Sequence, residues 1–378
     1  MFYGVKNLVK LIKTDLTDSK RLSQFLKTIP YNGPVDLILD RGEEFSKIYD
    51  LLYEDSVTYA LVDHHQKIQA ISSLLFKEAV VAGEKQTVGF ATDLRVSHDR
   101  RAISNWAKYF LPALKTERDM RQCRYVFSVM NRYQREAYNA FIRPRSTRQT
   151  QIRYYLFRKF NLVGLHGLFP FSTKPLRHIH IRSAKHDDLP KIKDYVRKHQ
   201  LQRPYYDPHF DRSLKVTSSN NSLSKIDQFI LAFDRHKQIV GLLSHHSPLG
   251  IQDYTILHTP NIAQTFRQTI NLLSLFGFTH KLPKTNQKLM VRHLNNIYID
   301  NPDIFYALLR HTWSITPKNE LLLYPHFESD LDTQPPLSFI PSKTPFGLYC
   351  ILAPEDPIPD FLKPVYLGKP PDYDGILF

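Results

Sequence analysis

The stretch Val88-Gly89-Phe90-Ala91-Thr92-Asp93-Leu94-Arg95-Val96-Ser97-His98-Asp99-Arg100-Arg101-Ala102-Ile103-Ser104-Asn105-Trp106 decides the fold. Its first half, which ends at Val96, is rich in β-branched and aromatic residues and predicts a strand. Ser97, His98 and Asp99 are typical of a turn and a helix cap. The next apolar residues recur at helical spacing: Ile103, Trp106, Phe110 and Leu111. The pattern predicts a strand that leads into a helix with a basic first turn, a place that suits a phosphate group.

This strand–turn–helix resembles the acetyl-CoA-binding motif of the GNAT N-acetyltransferases. In that family a strand ending like Asp-Leu-Arg-Val leads into an Arg/Gln-x-x-Gly-x-Gly/Ala run that opens a helix. Here Asp93–Val96 match the strand end and Arg101 matches the Arg, while Ser104 and Trp106 occupy the two glycine positions. Since the family's contacts to pyrophosphate come from backbone N–H groups, Ser104 can still serve, but Trp106 lacks the close approach that glycine allows. The alternative is an ordinary strand–turn–helix with a basic helix start.

Composition indicates a globular protein of two ordinary domains. The chain has 378 residues, 42% of them hydrophobic and 23% charged, with 24 Phe and 21 Tyr to build cores. Cys123 and Cys350 are far apart and have no metal-like spacing, which favours a reducing compartment and excludes a disulfide framework. No apolar run reaches membrane-spanning length, and Met1-Phe2-Tyr3 does not open a signal peptide. We therefore expect a cytoplasmic protein with no membrane association.

The net charge of +15 is concentrated in one part of the chain. Residues 100–160 contain 15 Lys and Arg but only three acidic residues, Glu117, Asp119 and Glu136. Such a segment is expected to attract anions. Nucleic acid and a cofactor with several phosphates are both candidates, and a solvated basic face is the alternative.

The order of predicted elements extends the resemblance to the whole first half. Hydrophobic periodicity and turn residues divide residues 5–163 into a strand, two helices, three strands, a helix, a strand, a helix and a strand. That is the GNAT order throughout. The strands are predicted at 5–13, 57–62, 68–79, 87–96, 124–130 and 152–163, and the helices at 15–27, 43–52, 101–116 and 131–141.

A second, similar pattern begins after a connector at 164–177 that contains Gly and Pro. The sequence thus resembles a tandem GNAT protein with an α+β fold in α/β/α layers. Each of the two GNAT-like domains, 1–165 and 175–378, has a mixed, mostly antiparallel central sheet flanked by helices. Asp300-Asn301-Pro302-Asp303 lies where the second phosphate loop would be, and its acidic residues oppose pyrophosphate. The second-half elements are predicted as a strand entering a helix from 178, a hairpin at 229–233 and 239–245, helices at 262–276 and 302–312, and strands at 289–299, 320–324, 347–352 and 364–367.

The resemblance implies a set of residues that bind acetyl-CoA as cosubstrate. Leu94 and Val96 would bond the pantetheine arm, and the Val96 N–H would serve as oxyanion donor. The pyrophosphate would be held by Arg101, Ala102, Ser104 and Asn105.

A second family pattern, Asn-x-x-Ala-x-x-x-Tyr, is matched by Asn131 and Tyr138, with Gln134 in the Ala position. Seven residues are about two helical turns, so both side chains share a face. Asn131 would bond the pantetheine arm, and Tyr138 would protonate the leaving thiolate. The alternative for Tyr138 is a half-buried core tyrosine.

The general base is less clearly defined. Asp93 comes from the right strand and can act through water, although a structural carboxylate paired with Arg95 or Arg101 is the alternative. The histidine pairs have no further ligand spacing, so we expect no metal.

Three functions remain open on the sequence: a CoA-dependent N-acetyltransferase of an unknown amine, either a small molecule or a protein; a transferase that uses aminoacyl-tRNA; and a non-catalytic GNAT-fold module that binds protein or RNA. The basic segment fits the second, and the missing glycines favour the third. Neither the acceptor nor the oligomeric state can be inferred from the sequence.

Overall fold

The computed structural model describes residues 9–97, 100–133, 152–169, 178–210, 225–363, 368–373 and 375. Within these ranges the helices are α1 Ser19–Thr28, α2 Lys47–Leu52, α3 Arg100–Met120, α4 Leu189–Gln200, α5 Asn261–Ser274 and α6 Pro302–Ile315. The strands are β1 Lys10–Lys13, β2 Asp36–Asp40, β3 Asp55–Val62, β4 Ile68–Val81, β5 Glu84–Val96, β6 Tyr125–Asn131, β7 Arg153–Leu168, β8 His180–Ser183, β9 Tyr205–Tyr206, β10 Phe229–Phe233, β11 Ile239–His246, β12 Asp253–His258, β13 Lys288–Ile299, β14 Glu320–Phe327 and β15 Phe339–Leu352.

Helix α3 illustrates how apolar spacing fixes a helix against the sheet. Trp106, Phe110 and Leu114 recur every four residues and are all buried, with exposed fractions of 4% or less. Because residues four apart share one side of a helix, this stripe faces the sheet along most of α3. Pro112 lies within the helix on its exposed side. The same stripe anchors the N-terminus of α3 next to the end of β5.

The strands form one continuous mixed sheet. Its order is β1-β3-β4-β5-β6-β15-β7-β14-β13-β11-β10-β8. Two parallel pairs, β5 with β6 and β13 with β14, occupy similar positions in the two halves of the chain, and their neighbours are antiparallel. Away from this path, β2 pairs with β12, and β12 pairs with the start of β13. The β2–β12 ladder joins the first half of the chain to the second.

The middle of the sheet is built by strand exchange between the halves. Strand β15, from the end of the chain, pairs with β6 of the first half, whereas β7 pairs with β14 of the second half. Strands β7 and β15 also pair with each other along almost their whole length. Each half of the sheet is therefore completed by a strand that the other half of the sequence supplies.

Helices cover both faces of the sheet. Helices α1 and α2 pack over a core that runs from β4 and β5 across β7, β14 and β15, so this core belongs to both halves. Helix α3 covers the opposite face of the first half. In the second half, α4 and α6 cover opposite faces. The expected α+β class, with a large mixed sheet flanked by helices, is confirmed.

Some predicted boundaries were wrong for identifiable reasons. Strand β7 continues to Leu168, so Gly164 lies within a strand rather than in a connector. A Cβ at Gly164 would be 2.9 Å from the Ser342 hydroxyl oxygen, so the glycine permits close strand packing. The short strands β9 and β12 were not predicted. The predicted helix 131–141 from residue 134 onward and the predicted strand 364–367 lie outside the described residues, and the boundaries 1–165 and 175–378 stay a prediction.

Candidate active site

The sheet opens between β5 and β6. The parallel pairing of these strands runs only from Val88 opposite Tyr125 to Ala91 opposite Ser128. Beyond Ala91, strand β5 continues to Val96 with no described strand beside it on that side, while β6 continues to Asn131 and pairs with β15 on its other edge. Among the described residues, the backbone of residues 92–96 therefore borders a gap in the sheet. A similar divergence separates β13 from β14 beyond His293.

A bulge at Asp93 sets the direction of the side chains that border this gap. Asp93 has a φ of 54°, and the register between β4 and β5 shifts between Ile71 and Ser73. Positive φ is uncommon for a residue other than glycine, although aspartate tolerates it better than most. Beyond the bulge, Leu94 and Val96 pack on the α3 side of the sheet. The Asp93 side chain lies on the opposite side, where it meets α2.

Asp93 is held in a buried network. Its Oδ2 atom accepts a hydrogen bond from Arg41 Nη1 at 2.6 Å and another from the Tyr49 hydroxyl. Arg41 also donates through Nε to Gln252 Oε1 at 3.1 Å, and Gln252 donates to the Tyr254 hydroxyl. The side chains of Arg41 and Asp93 are 2% and 1% exposed. This network connects β5 with α2, with the end of β2 and with the second half of the chain.

The charges in the network stabilise each other. Burial by itself would lower the pKa of Arg41, but the adjacent Asp93 carboxylate and two tyrosines raise that pKa above its ordinary value. Burial raises the pKa of Tyr49 well above its usual range, so its hydroxyl stays protonated and donates. The second carboxylate oxygen, Asp93 Oδ1, is buried and has no hydrogen-bond partner among the described residues. Asp93 therefore keeps one acceptor atom available.

Arg95 lies two residues farther along the strand. Its guanidinium group stacks on the Tyr31 ring, with Cζ 3.7 Å from the ring centroid, and Nη1 donates to the Leu94 carbonyl at 2.9 Å. Its Nε and Nη2 atoms are buried, and no acceptor from the described residues reaches them. A buried carboxylate and a half-buried arginine thus each present buried atoms that lack a partner among the described residues beside the end of β5.

The predicted phosphate loop lies at the start of α3. The backbone N–H groups of Arg101 and Ala102 lie in the first turn of the helix, where N–H groups lack intrahelical partners, whereas Ser104 and Asn105 lie one turn farther along the helix. The Trp106 side chain is 2% exposed and stacks on Phe110 beneath the helix, with ring centroids 4.8 Å apart. Trp106 therefore points into the core, away from the side of the helix start that a phosphate would approach. The side chains of Arg101 and Ser104 lie outside the described part of the chain.

Only the first residue of the Asn-x-x-Ala-x-x-x-Tyr pattern, Asn131, lies in the described part of the chain. Asn131 ends β6, and its side chain already bonds within the protein: Oδ1 accepts from Tyr133 N at 2.9 Å, and Nδ2 donates to the Asn32 carbonyl at 3.4 Å. Tyr138 lies outside the described residues. A role for Asn131 with pantetheine would require the amide to exchange at least one of these bonds.

An open cleft of about 520 Å³ lies beside Ser97, between α1 and the start of β4. Its walls carry two cationic side chains, Arg21 and Lys67, and several amides and apolar groups. Because Ser97 directly follows β5, the cleft is at the end of β5 that leads to the helix start of α3. It offers space for a ligand at this end of the sheet.

Cysteine and metal chemistry have no support at the site. Burial raises the pKa of the Cys123 thiol to about 11 and that of Cys350 to about 12, which keeps both protonated at neutral pH. Within the described ranges, no three His, Cys, Asp or Glu side chains are placed to hold a metal ion. In the same part of the chain, no helix combines the length and the hydropathy needed to cross a membrane.

Several cations of the basic segment are paired with acidic side chains. Arg118 bonds Asp356 at 2.7 Å and Lys115 bonds Glu355 at 2.6 Å. Arg121 contacts both Asp55 and Glu117. A charge count over consecutive residues therefore overstates the free positive charge of this segment, which weakens the case for nucleic acid.

Comparison with known proteins gives matches in structure only. No protein-family model matches the chain, and no curated protein matches it in sequence. Saccharomyces cerevisiae N-myristoyltransferase with bound myristoyl-CoA is similar in structure, with 11% identity and a TM-score of 0.51, covering 93% of this chain and 86% of that chain. Another structure of the yeast enzyme with myristoyl-CoA gives 11% identity and a TM-score of 0.55, with 91% and 79% covered.

A third similar structure is the GCN5-related glucosamine N-acetyltransferase region of a fungal multi-domain GH3 β-N-acetylglucosaminidase. It has 10% identity and a TM-score of 0.53, and the match covers 92% of this chain and 38% of that one. The fold is that of GNAT-type N-acyltransferases. Identities this low establish the GNAT fold and leave the reaction to be argued from the site.

The second half of the GNAT fold differs at the helix that corresponds to α3. Asn301 precedes α6 and accepts a hydrogen bond from the Ile304 N–H at 3.1 Å. Pro302 carries no N–H, and Asp303 adds a negative charge to the first turn. The N-terminus of α6 is capped by the Asn301 side chain and repels anions, in contrast to the basic N-terminus of α3.

Sequence reasoning selected Asp93 but not its partners. The alternative role of Asp93, a structural carboxylate paired with Arg95 or Arg101, finds a different partner among the described side chains: Arg41, 52 residues earlier. The Arg101 side chain lies outside them. Gln252, which bonds Arg41, is 211 residues from it. No local pattern marks Arg41, Tyr49 or Gln252, because their contacts depend on the β2–β12 ladder between the halves.

Proposed function

We propose that this protein is an acyl-CoA-dependent N-acyltransferase, specifically a tandem GNAT N-acetyltransferase whose active site is in the first half. The observation that carries the proposal is the gap between β5 and β6 directly before a helix with a basic N-terminus. The pantetheine arm of acetyl-CoA would bond the exposed backbone at Leu94 and Val96. The pyrophosphate would lie at the N-terminus of α3, beside residues 101–105, where the N–H groups of the first turn are free.

The reaction transfers the acetyl group from sulfur to nitrogen. The amine nitrogen attacks the thioester carbonyl carbon, a C–N bond forms, and the C–S bond breaks with its electron pair on sulfur. Asp93 Oδ1 is the candidate to accept the amine proton, directly or through water. Tyr138, outside the described residues, stays the candidate that protonates the thiolate. Backbone N–H groups of β5, among them that of Val96, would stabilise charge on the carbonyl oxygen.

A short acyl group fits the packing near the gap better than a long one. The Phe90 ring contacts Tyr53 and Tyr373, with ring centroids 6.2 and 5.8 Å away. These rings fill the α1–α2 side of β5 just before the bulge, where a long chain would need space. This packing supports acetyl as the transferred group.

Calorimetric titration with acetyl-CoA tests cofactor binding. We expect micromolar affinity in the wild type and its loss in Arg101→Glu, because the reversed charge opposes pyrophosphate. Lys108→Glu makes the same charge change on an exposed position of α3 and should retain binding. A folded wild-type protein that does not bind acetyl-CoA would contradict the proposal and favour a non-catalytic GNAT-fold module for protein or RNA.

Turnover is tested by release of the CoA thiol with a panel of amines. Tyr138→Phe should lose most of the turnover and keep the affinity for acetyl-CoA, because only the proton donor is removed. Unchanged turnover would exclude Tyr138 as the acid. If aminoacyl-tRNA is the donor instead of acetyl-CoA, transfer will be seen with aminoacyl-tRNA, and the affinity for tRNA will fall steeply as the salt concentration rises.

A further inference from the structure

Asp93 and Arg95 place opposite charges on the same strand, immediately beside the gap between β5 and β6. They meet neighbours from the same layer: Asp93 contacts Tyr49 of α2, and Arg95 contacts Tyr31, which follows α1. The pair therefore faces the side of the sheet that α1 and α2 cover. An amine substrate bound on this side would reach the thioester past the end of β5, the strand that carries both residues.

The free atoms of Arg95 form a specific recognition edge. Nε and the adjacent Nη2 point in the same direction and can make two parallel hydrogen bonds to one carboxylate. The Tyr31 ring holds the guanidinium plane, and Nη1 is occupied by the Leu94 carbonyl. Only the Nε–Nη2 edge is left without an acceptor from the described residues.

Asp93 provides a hydrogen-bond acceptor, whereas the free edge of Arg95 provides donors. Oδ2 is saturated by Arg41 and Tyr49, which fix the carboxylate, and Oδ1 remains without a donor from the described residues. The side chain is 1% exposed, so bulk water does not solvate it freely. A buried polar atom without a partner is unfavourable in a folded protein, and a bound ligand that supplies the missing hydrogen bond would remove this cost.

We propose that the acceptor is an amine that also carries a carboxylate, that is, a free amino acid or a close relative. Its amine bonds Asp93 Oδ1, and its carboxylate bonds the Nε–Nη2 edge of Arg95. This assignment rests on the proposed N-acyltransferase function and names its substrate class. Arg95 is then a specificity-determining residue, which orients the amine towards the thioester carbon without taking part in proton transfer.

The test compares amino acids with the amines that lack only the carboxylate. Thiol release from acetyl-CoA is measured with L-phenylalanine against 2-phenylethylamine, with L-tyrosine against tyramine, and with other such pairs. We expect kcat/KM to be at least about tenfold higher for the amino acid in the best pair, a ratio equivalent to about 1.4 kcal/mol. Equal or higher kcat/KM for the decarboxylated amines would overturn the inference.

Variants identify Arg95 as the source of that preference. Arg95→Gln should raise KM for the amino acid about tenfold or more and leave the decarboxylated amine nearly unchanged. Arg95→Lys keeps the charge but not the paired donors, so it should recover only part of the preference. Arg124→Gln, which removes another arginine stacked on a tyrosine, Tyr125, is the matched control and should keep the preference.

The outcomes separate this inference from the proposed function. Equal losses for both members of a pair in Arg95→Gln, with an unchanged unfolding midpoint, would mean that Arg95 is structural and would overturn the inference. Transfer to plain amines alone, or acetyl-CoA binding without transfer to any panel member, overturns the inference but not cofactor binding. Absence of acetyl-CoA binding by the folded wild type overturns both.

Discussion

The carboxylate of Asp93 has two different tasks at its two oxygen atoms. Oδ2 closes an ion pair with Arg41 that is almost completely shielded from water, whereas Oδ1 is buried with no hydrogen-bond partner among the described residues. Because Oδ2 is held by two donors, the position of Oδ1 is fixed by the fold. In the proposed assignment, one side chain combines structural support with substrate binding.

Removing the cation from this pair should destabilise the protein strongly. Arg41→Gln leaves the Asp93 carboxylate buried without its charge partner, and we expect the free energy of unfolding to fall by about 3–5 kcal/mol. Urea unfolding at pH 7 measures the change. Arg21→Gln, which breaks a more exposed pair with Asp18, should cost less than about 1 kcal/mol. Similar losses for the two variants would contradict this view of the Arg41–Asp93 pair.

Individual residues of the site could be predicted only where the chemistry is local. Asp93, Leu94 and Val96 belong to one strand end, and its pattern indicated both the strand and the turn after it. Arg41 and Tyr49 reach Asp93 through α2 and the end of β2, and nothing in the neighbouring sequence indicates which carboxylate an arginine will meet. The unpartnered edge of Arg95 was equally unpredictable, because it depends on the contact with Tyr31.

At the scale of elements, helix α6 approaches β11 unusually closely. A Cβ at Gly241 would lie 2.4 Å from Ile304 Cγ2 and 3.2 Å from Leu308 Cδ1. The absence of a side chain at this position lets the helix lie against the strand and bury its apolar stripe. Gly241 therefore sets the distance between these two elements.

Gly241→Ala should force α6 away from β11. We expect a loss of about 1–3 kcal/mol in the free energy of unfolding, as for other overpacked cores. Denaturant unfolding measures it, with Gly33→Ala as the control, since a Cβ there meets its nearest atom at an ordinary 3.5 Å. Unchanged stability of Gly241→Ala would show that the interface adjusts without cost.

Strand β15 was only partly predicted from the sequence. Only residues 347–352 were predicted as a strand, because Pro341 and Pro345 interrupt the pattern before them. In the structure β15 begins at Phe339, and its ladder with β6 covers only residues 346–351. Proline is compatible with a strand where one side needs no N–H donor, and no described strand pairs with residues 339–345 on the side facing away from β7, where the Pro345 carbonyl accepts from the Arg132 N–H.

For the whole molecule, buried histidines make stability depend on pH. Burial lowers the pKa of His166 and His293 to about 4 and that of His246 to about 3. In the unfolded chain these groups have a pKa near 6.5, so between pH 6.5 and 4 the unfolded state binds more protons than the folded state. Stability is therefore fully present above pH 6.5 and falls as the pH drops.

We expect the free energy of unfolding to decrease from pH 7 to pH 5 by roughly 2 kcal/mol for each of these histidines. Urea unfolding at several pH values measures the slope. The slope of this free energy against pH gives the number of protons taken up on unfolding. His166→Gln should reduce that number by about one, whereas His64→Gln, at an exposed turn, should not change it. A flat profile between pH 7 and 5 would contradict the assignment of these histidines as neutral and buried.

The exchanged strands should prevent the halves from folding separately. A fragment of residues 1–169 lacks β15, so β6 loses its neighbour on one side and β7 loses both of its partners. We expect this fragment to show no cooperative thermal unfolding, and we expect co-expression with residues 170–378 to restore a soluble complex. Cooperative melting of the fragment alone would show that the first half is an independent unit.

The long separation of β7 and β15 in the sequence also affects how the protein is made. At about 5–20 residues per second, translation reaches residue 352 roughly 10–40 s after β7 has been completed. During that interval the edge of β6 is open to other chains, which is a known route to aggregation. A premature stop codon before residue 339 would remove the shared strand from both halves at once. Recombination at the midpoint of the gene would likewise separate β15 from β6 and β7 from β14.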